Sequence, residues 1–92
     1  MTTIYKYPVK ILHKQTLCFR GGQELLHLDY QKDELFAWIR THTTDSVEMR
    51  LVVELFGTGH ELSPEGEYFK TLVDDFRGLV WHVYISSSFR KL

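Results

Sequence analysis

Apolar and polar residues alternate with a period of two along most of the chain. Across Val47-Glu48-Met49-Arg50-Leu51-Val52-Val53-Glu54-Leu55-Phe56 every odd position is apolar, while Glu48, Arg50 and Glu54 fall on even positions. A helix would scatter those three charges around its circumference, whereas a strand gathers them on one face. Leu79 to Ile85 repeats the pattern, with Leu79, Trp81, Val83 and Ile85 on an apolar face and Val80, His82 and Tyr84 on an amphipathic one. β-Branched and aromatic residues dominate both runs, as strands prefer. Two more runs, Glu24 to Tyr30 and Leu35 to His42, flank the polar Gln31-Lys32-Asp33-Glu34 and read as a hairpin with a four-residue loop. Thr41 to Asp45 is polar and turns the chain toward the Val47 strand.

Shorter strands are expected over Thr3–Val9 and Gln15–Arg20. Pro8 lacks a donor N–H, which suits an edge, and Gly21-Gly22 supplies a tight turn. One segment reads two ways. Ser63-Pro64-Glu65 resembles a helix start, and Tyr68, Phe69, Leu72, Val73 and Phe76 would then form an apolar stripe. Against that, Gly66 in the first turn costs about 1 kcal/mol relative to Ala. The alternative, which we favour, is a strand from Tyr68 to Val73, a turn at Asp74 to Gly78, and a return strand. The expectation is therefore an all-β fold: a small antiparallel sandwich or barrel of about seven short strands, with one short helix near 64–76 as the competing element.

Size and charge narrow the function. The chain has 92 residues, enough for one domain spanning 1–92 with one modest core. Its 11 basic and 12 acidic residues give a net charge of -1, without the basic excess that phosphate binding normally shows. Nucleic acid is therefore not an expected partner. Tyr5, Lys6, Tyr7 and Lys10, with Phe89, Arg90 and Lys91, are the basic–aromatic residues that a nucleic-acid-binding barrel would use. No apolar stretch approaches the roughly 18 residues of a membrane helix, so no membrane association is expected. Cys18 is the single cysteine, which rules out an internal disulfide and fits a reducing compartment.

Candidate chemistry is sparse. The five histidines are spaced 14, 15, 18 and 22 residues apart, with no short His or Cys ligand motif, so no metal site is assigned. Cys18 lies in an alternating run where cysteine acts as a small hydrophobe, and Asp74-Asp75 reads as turn chemistry. No nucleophile–base arrangement stands out, so no catalytic residue, enzymatic activity or cofactor is expected. The distinctive stretch is Gly57-Thr58-Gly59-His60, directly after a buried strand, where the backbone can turn sharply and present N–H groups to an anionic or polar partner. Trp38, Trp81 and His82 complete the candidate binding set. The excess of amphipathic aromatics for so small a core points to partly exposed second faces, and hence to a homo-oligomer or another partner.

Ile4-Tyr5-Lys6-Tyr7-Pro8-Val9, Gly57-Thr58-Gly59-His60 and Gly78-Leu79-Val80-Trp81-His82-Val83-Tyr84, in that order, resemble a family of small single-domain proteins of bacteriophages and prophages. The resemblance covers nearly the whole chain except Thr43–Arg50 and Ser86–Leu92. It implies a strand rather than a helix at Tyr68 to Val73, a phage origin and the bacterial host cytoplasm. By analogy of origin it also implies a binding role against host antiviral defence, directed at a host protein or a nucleotide-like signal; the alternatives are a small nucleic-acid-binding β-barrel and an accessory or structural phage protein. It assigns no site residues.

Overall fold

The computed structural model describes residues 1–44 and 46–92. Seven strands occur in chain order: β1 (Thr2–Pro8), β2 (Lys14–Arg20), β3 (Gly22–Gln31), β4 (Glu34–His42), β5 (Val47–Gly57), β6 (Glu67–Asp74) and β7 (Leu79–Lys91). They form a three-stranded sheet in the order β1-β4-β3 and a four-stranded sheet in the order β2-β5-β7-β6. All five ladders are antiparallel. The all-β expectation of about seven strands holds, and the architecture is the sandwich.

The period-two pattern decides which side chains fill the space between the sheets. Met49, Leu51, Val53 and Leu55 of β5 are buried, and so are Leu35, Ala37 and Ile39 of β4. Phe19, Leu28, Leu72 and Val83 join them in a single apolar cluster. Burying one such side chain contributes about 1.5–3 kcal/mol, so the cluster dominates the stability of a domain this small. A cross-sheet ion pair adds registration, with Lys70 Nζ on β6 at 3.2 Å from Asp29 Oδ2 on β3.

Several boundaries depart from the sequence expectation. Gln31 pairs directly with Glu34, so the β3–β4 loop has two residues rather than four, with Lys32 at φ 60°. The turn expected at Thr41 to Asp45 starts later, because Thr41 and His42 still pair with β1; Asp45 itself lies outside the described residues. The competing helix at 64–76 is absent: residues 67–74 are β6, whose Leu72 and Asp74 are buried while Val73 is exposed. β7 runs six residues beyond Ile85, paired with β5 as far as Lys91 opposite Val47. Alternation fades at Ser86-Ser87-Ser88, where small polar residues leave no hydrophobic signal. No helix among the described residues is long and apolar enough to cross a membrane.

β5 and β6 each pair antiparallel with β7 and so run parallel to one another on its two sides. Residues 58–66 must therefore run back along β7, from the level of Trp81, opposite Gly57, to that of Ile85, opposite Glu67. They return over the outer face of the four-stranded sheet, where Glu54 Oε1 accepts N–H bonds from Glu65 (2.9 Å) and Gly66 (3.4 Å). This strap helps to cover Glu54, which is on the outward side of β5 yet only 4% exposed, while Phe56 on the same side, 3% exposed, packs against His13 and Tyr84. The strap also positions the glycine loop.

Candidate functional site

Gly57 ends β5 opposite Trp81, and the chain then turns, with the His60 N–H donating to Gly57 O at 3.2 Å. Gly59 sits at φ 90°, a conformation that residues with a side chain adopt only at a cost. The turn throws its two candidate side chains to different places. Thr58 reaches the outer face of the four-stranded sheet, where its Oγ1 lies 2.9 Å from His82 Nε2. His60 folds back over Gly57 and lines a cavity of about 230 Å³ with Trp81, Leu55 and residues 11–13.

His82 is held from both sides. Its Nδ1 lies 3.1 Å from Thr71 Oγ1 on β6, and that hydroxyl lies 2.7 Å from Tyr68 OH. A neutral imidazole has one donor and one acceptor nitrogen, so one threonine donates to the ring and the other accepts from it. Hydroxyls can reverse their direction, so the chain Thr58–His82–Thr71–Tyr68 is compatible with either tautomer. Beside it runs an aromatic strip across three strands and the β1–β2 connection. His13 meets Phe56 at 5.0 Å between centroids, Phe56 meets Tyr84 at 5.5 Å, and Tyr84 meets Tyr68 at 5.7 Å, all edge to face.

The predicted site residues thus divide into three places. Thr58 and His82 meet on the outer face, and His60 and Trp81 share the cavity. Trp38 stands apart on the outer face of the other sheet, between His27 (5.1 Å) and Phe36 (6.2 Å). The basic–aromatic cluster is partly committed to its neighbours: Lys6 bonds Gln31 at 2.8 Å and lies 4.5 Å above the Phe36 ring, while Arg90 pairs with Glu48 at 3.0 Å. Thr71 was not singled out from sequence, while Tyr68 and Tyr84 counted among the amphipathic aromatics and Glu54 among the charges on one face of its strand, without a place in the candidate site. The alternation of the strand option for 68–73, with Thr71 and Val73 on one side, was the signal that could have found Thr71.

A second polar cluster sits at the end of the sandwich near the β6–β7 turn. Asp74 is 2% exposed and accepts from the Arg77 backbone N–H (3.0 Å) and the Arg77 guanidinium (2.9 Å), which also reaches Asp33 O at 3.2 Å. Burial opposes ionisation of Asp74, but the two Arg77 donors outweigh it and hold the carboxyl below its ordinary 3.8. Burial, aided by that neighbouring carboxylate, pushes the Tyr30 phenol above its ordinary 10.0. The Tyr30 hydroxyl and Trp81 Nε1 are both buried without a hydrogen-bond partner. Among the described residues no group of three or more His, Cys, Asp or Glu side chains could hold a metal.

Residues 1–91 match the model of the family described as Domain of unknown function (DUF7352), and the chain belongs to that family. No curated protein and no solved structure matches it.

Proposed function

We propose that this member of the family is a non-catalytic, phage-encoded binding protein acting in the bacterial host cytoplasm, where it engages a host protein to blunt antiviral defence. The observation that carries the reading is the outer face of β6 and β7. Tyr68, Val73 and Val80 are 56%, 58% and 37% exposed there, next to the Thr58–His82–Thr71 chain. An amphipathic face with apolar rings and adaptable hydroxyls is the composition found at protein interfaces.

The alternative is a small nucleotide-like ligand, and the His60–Trp81 cavity is its best seat. At about 230 Å³ that cavity falls below the roughly 300–1,000 Å³ of ordinary ligand pockets, and no lysine or arginine lines it. The larger groove beside β6, about 500 Å³, carries Glu65 and Glu67, which oppose a phosphate. A flat protein partner fits these surfaces better than a nucleotide does.

The test places a photo-crosslinking amino acid at Val73, and separately at Ile4 on the three-stranded sheet, in protein produced inside a bacterial host. A single host protein trapped from Val73, not from Ile4, and lost on Val80→Glu supports the proposal. Equal trapping from both positions overturns it. So does a thermal shift with cyclic dinucleotides that Trp81→Ala abolishes, because a bound ligand raises stability by mass action.

A further inference from the structure

The expected self-association has one edge built for it. β6 pairs with Leu79–Ile85 of β7, and the other side of Ser86–Lys91 meets no strand among the described residues. β6 starts where it does because Gly66 lies against the Ile85 carbonyl, with no room for a Cβ. The arm itself is regular, with no register shift against β5. The Leu92 N–H donates to Ser46 O at 2.7 Å, on the β5 side. By the alternation of an antiparallel ladder, Ser87, Phe89 and Lys91 therefore direct their N–H and C=O groups outward.

Other free edges are blunted. β1 carries Lys6 and ends in Pro8, β3 has two register shifts, and β6 has one between Tyr68 and Lys70. β2 begins and ends with Lys14 and Arg20. Such devices discourage strand addition, and the β7 arm has cations only at its far end. Phe89 lies on the core side of the sheet, paired with Met49, yet is 55% exposed.

We propose that a second copy of this chain pairs with Ser86–Lys91 of β7, antiparallel about a two-fold axis, joining the two four-stranded sheets edge to edge. Outward-pointing residues must face one another, which allows two-fold registers centred on Ser87, Ser88, Phe89 or Arg90. The first two set Phe89 or Lys91 of one copy against Ile85 of the other, a position already filled by Glu67 of β6. The last sets Arg90 against Arg90, like charges directly opposite, which leaves the register on Phe89. It places Phe89 opposite Phe89, Ser88 opposite Arg90 and Ser87 opposite Lys91, so the like charges stand at opposite ends of the pairing. Lys91 of each copy then follows Glu67 of the other in line along β7, two residues on, about 7 Å apart on one face of the sheet. Among the described residues, neither Glu67 nor Lys91 has an ion-pair partner within the chain. Glu65 and Glu67 line the groove that this cation enters. Charge complementarity thus selects both the occupant and its register.

The experiment is light scattering on the full chain from about 10 to about 300 µM, the range a small interface requires. The mass is expected to rise toward twice 10.9 kDa. Ser87→Pro removes an outward N–H that no intrachain bond uses, and should weaken the dimer at least about tenfold with an unchanged melting temperature. Lys91→Glu should weaken it similarly, and the double exchange Lys91→Glu with Glu67→Lys should restore it. A wild-type mass that stays at the monomer value overturns the proposal, as does a dimer indifferent to both substitutions or a charge exchange that fails to rescue. These readouts need no host protein, so their failure is separable from that of the partner-binding face.

Discussion

Thr58 and His82 stand 24 residues apart in sequence, and their side chains meet at 2.9 Å. The contact pins the first residue after β5 to the first third of β7, at the point where the strap begins its return over the sheet. Thr58→Val keeps the shape and removes the hydroxyl, so it should cost about 0.5–1.5 kcal/mol. The measurement is a urea midpoint that moves with the slope unchanged. Thr71→Val should cost a similar amount, and the double variant less than the sum, because both hydroxyls serve one ring. A midpoint unchanged in Thr58→Val would show that the loop is not held by this bond.

The Asp74–Arg77 turn sets the acid limb of stability. A carboxyl whose folded pKa lies below its unfolded value contributes stability above the unfolded value, 3.8, and loses it as pH falls through the folded one. Arg77→Met should therefore flatten the stability profile below about pH 4. Asp29 behaves in the same sense: burial opposes its ionisation, but the Tyr30 N–H and Lys70 hold its carboxyl low. Chemical denaturation at a series of acid pH values checks the difference between the wild type and Arg77→Met.

Tyr30 sets the alkaline limb. Its phenol is raised above 10.0 by burial and by Asp74, so its contribution is fully present below that value. It is lost as pH rises through the folded pKa. Ultraviolet titration should show a tyrosine that ionises above 10.0. Tyr30→Phe should remove that late step.

The strands were legible where one face is buried, as on β5, because burial writes a period of two into the sequence. The arm of β7 was not, since Ser86, Ser87 and Ser88 are held by backbone pairing with β5 and carry no hydrophobic signal. The same limit applies to the site. The Gly57–His60 turn was readable from its glycines, but the direction of each side chain was not. Thr58 and His60 diverge because the strap leaves on one side of the sheet, a tertiary fact with no local trace. Trp38 was grouped with Trp81 by chemistry alone, and the sheet assignment of β4 and β7 separates them.

Lys32 carries the positive φ of the two-residue β3–β4 turn, at 60°. Lysine reaches that region at a cost that glycine does not bear. Lys32→Gly should gain up to about 1 kcal/mol in spite of the extra freedom it gives the unfolded chain. Lys32→Ile should lose more than that, since a β-branched residue resists a positive φ. Thermal unfolding of the three proteins orders them as Gly, Lys, Ile.

Gly66 and Gly78 separate two reasons for glycine. Gly78 holds φ 67° in the β6–β7 turn with open space around it, so Gly78→Ala incurs only the backbone cost, about 1 kcal/mol. At Gly66 an added Cβ would overlap the Ile85 carbonyl, and Glu54 receives the neighbouring N–H groups from the opposite side of the strap. Neither strand nor strap can give way without releasing the other. Gly66→Ala should therefore cost more than Gly78→Ala, about 1–3 kcal/mol from overpacking, plus whatever is lost as the Glu54 bonds lengthen. Glu54→Gln keeps an acceptor for the Glu65 N–H and should be milder than Glu54→Leu, which leaves two donors without one. If Gly66→Ala proved no worse than Gly78→Ala, the close approach just before β6 would not exist, and the free edge of Ser86–Lys91 would begin elsewhere.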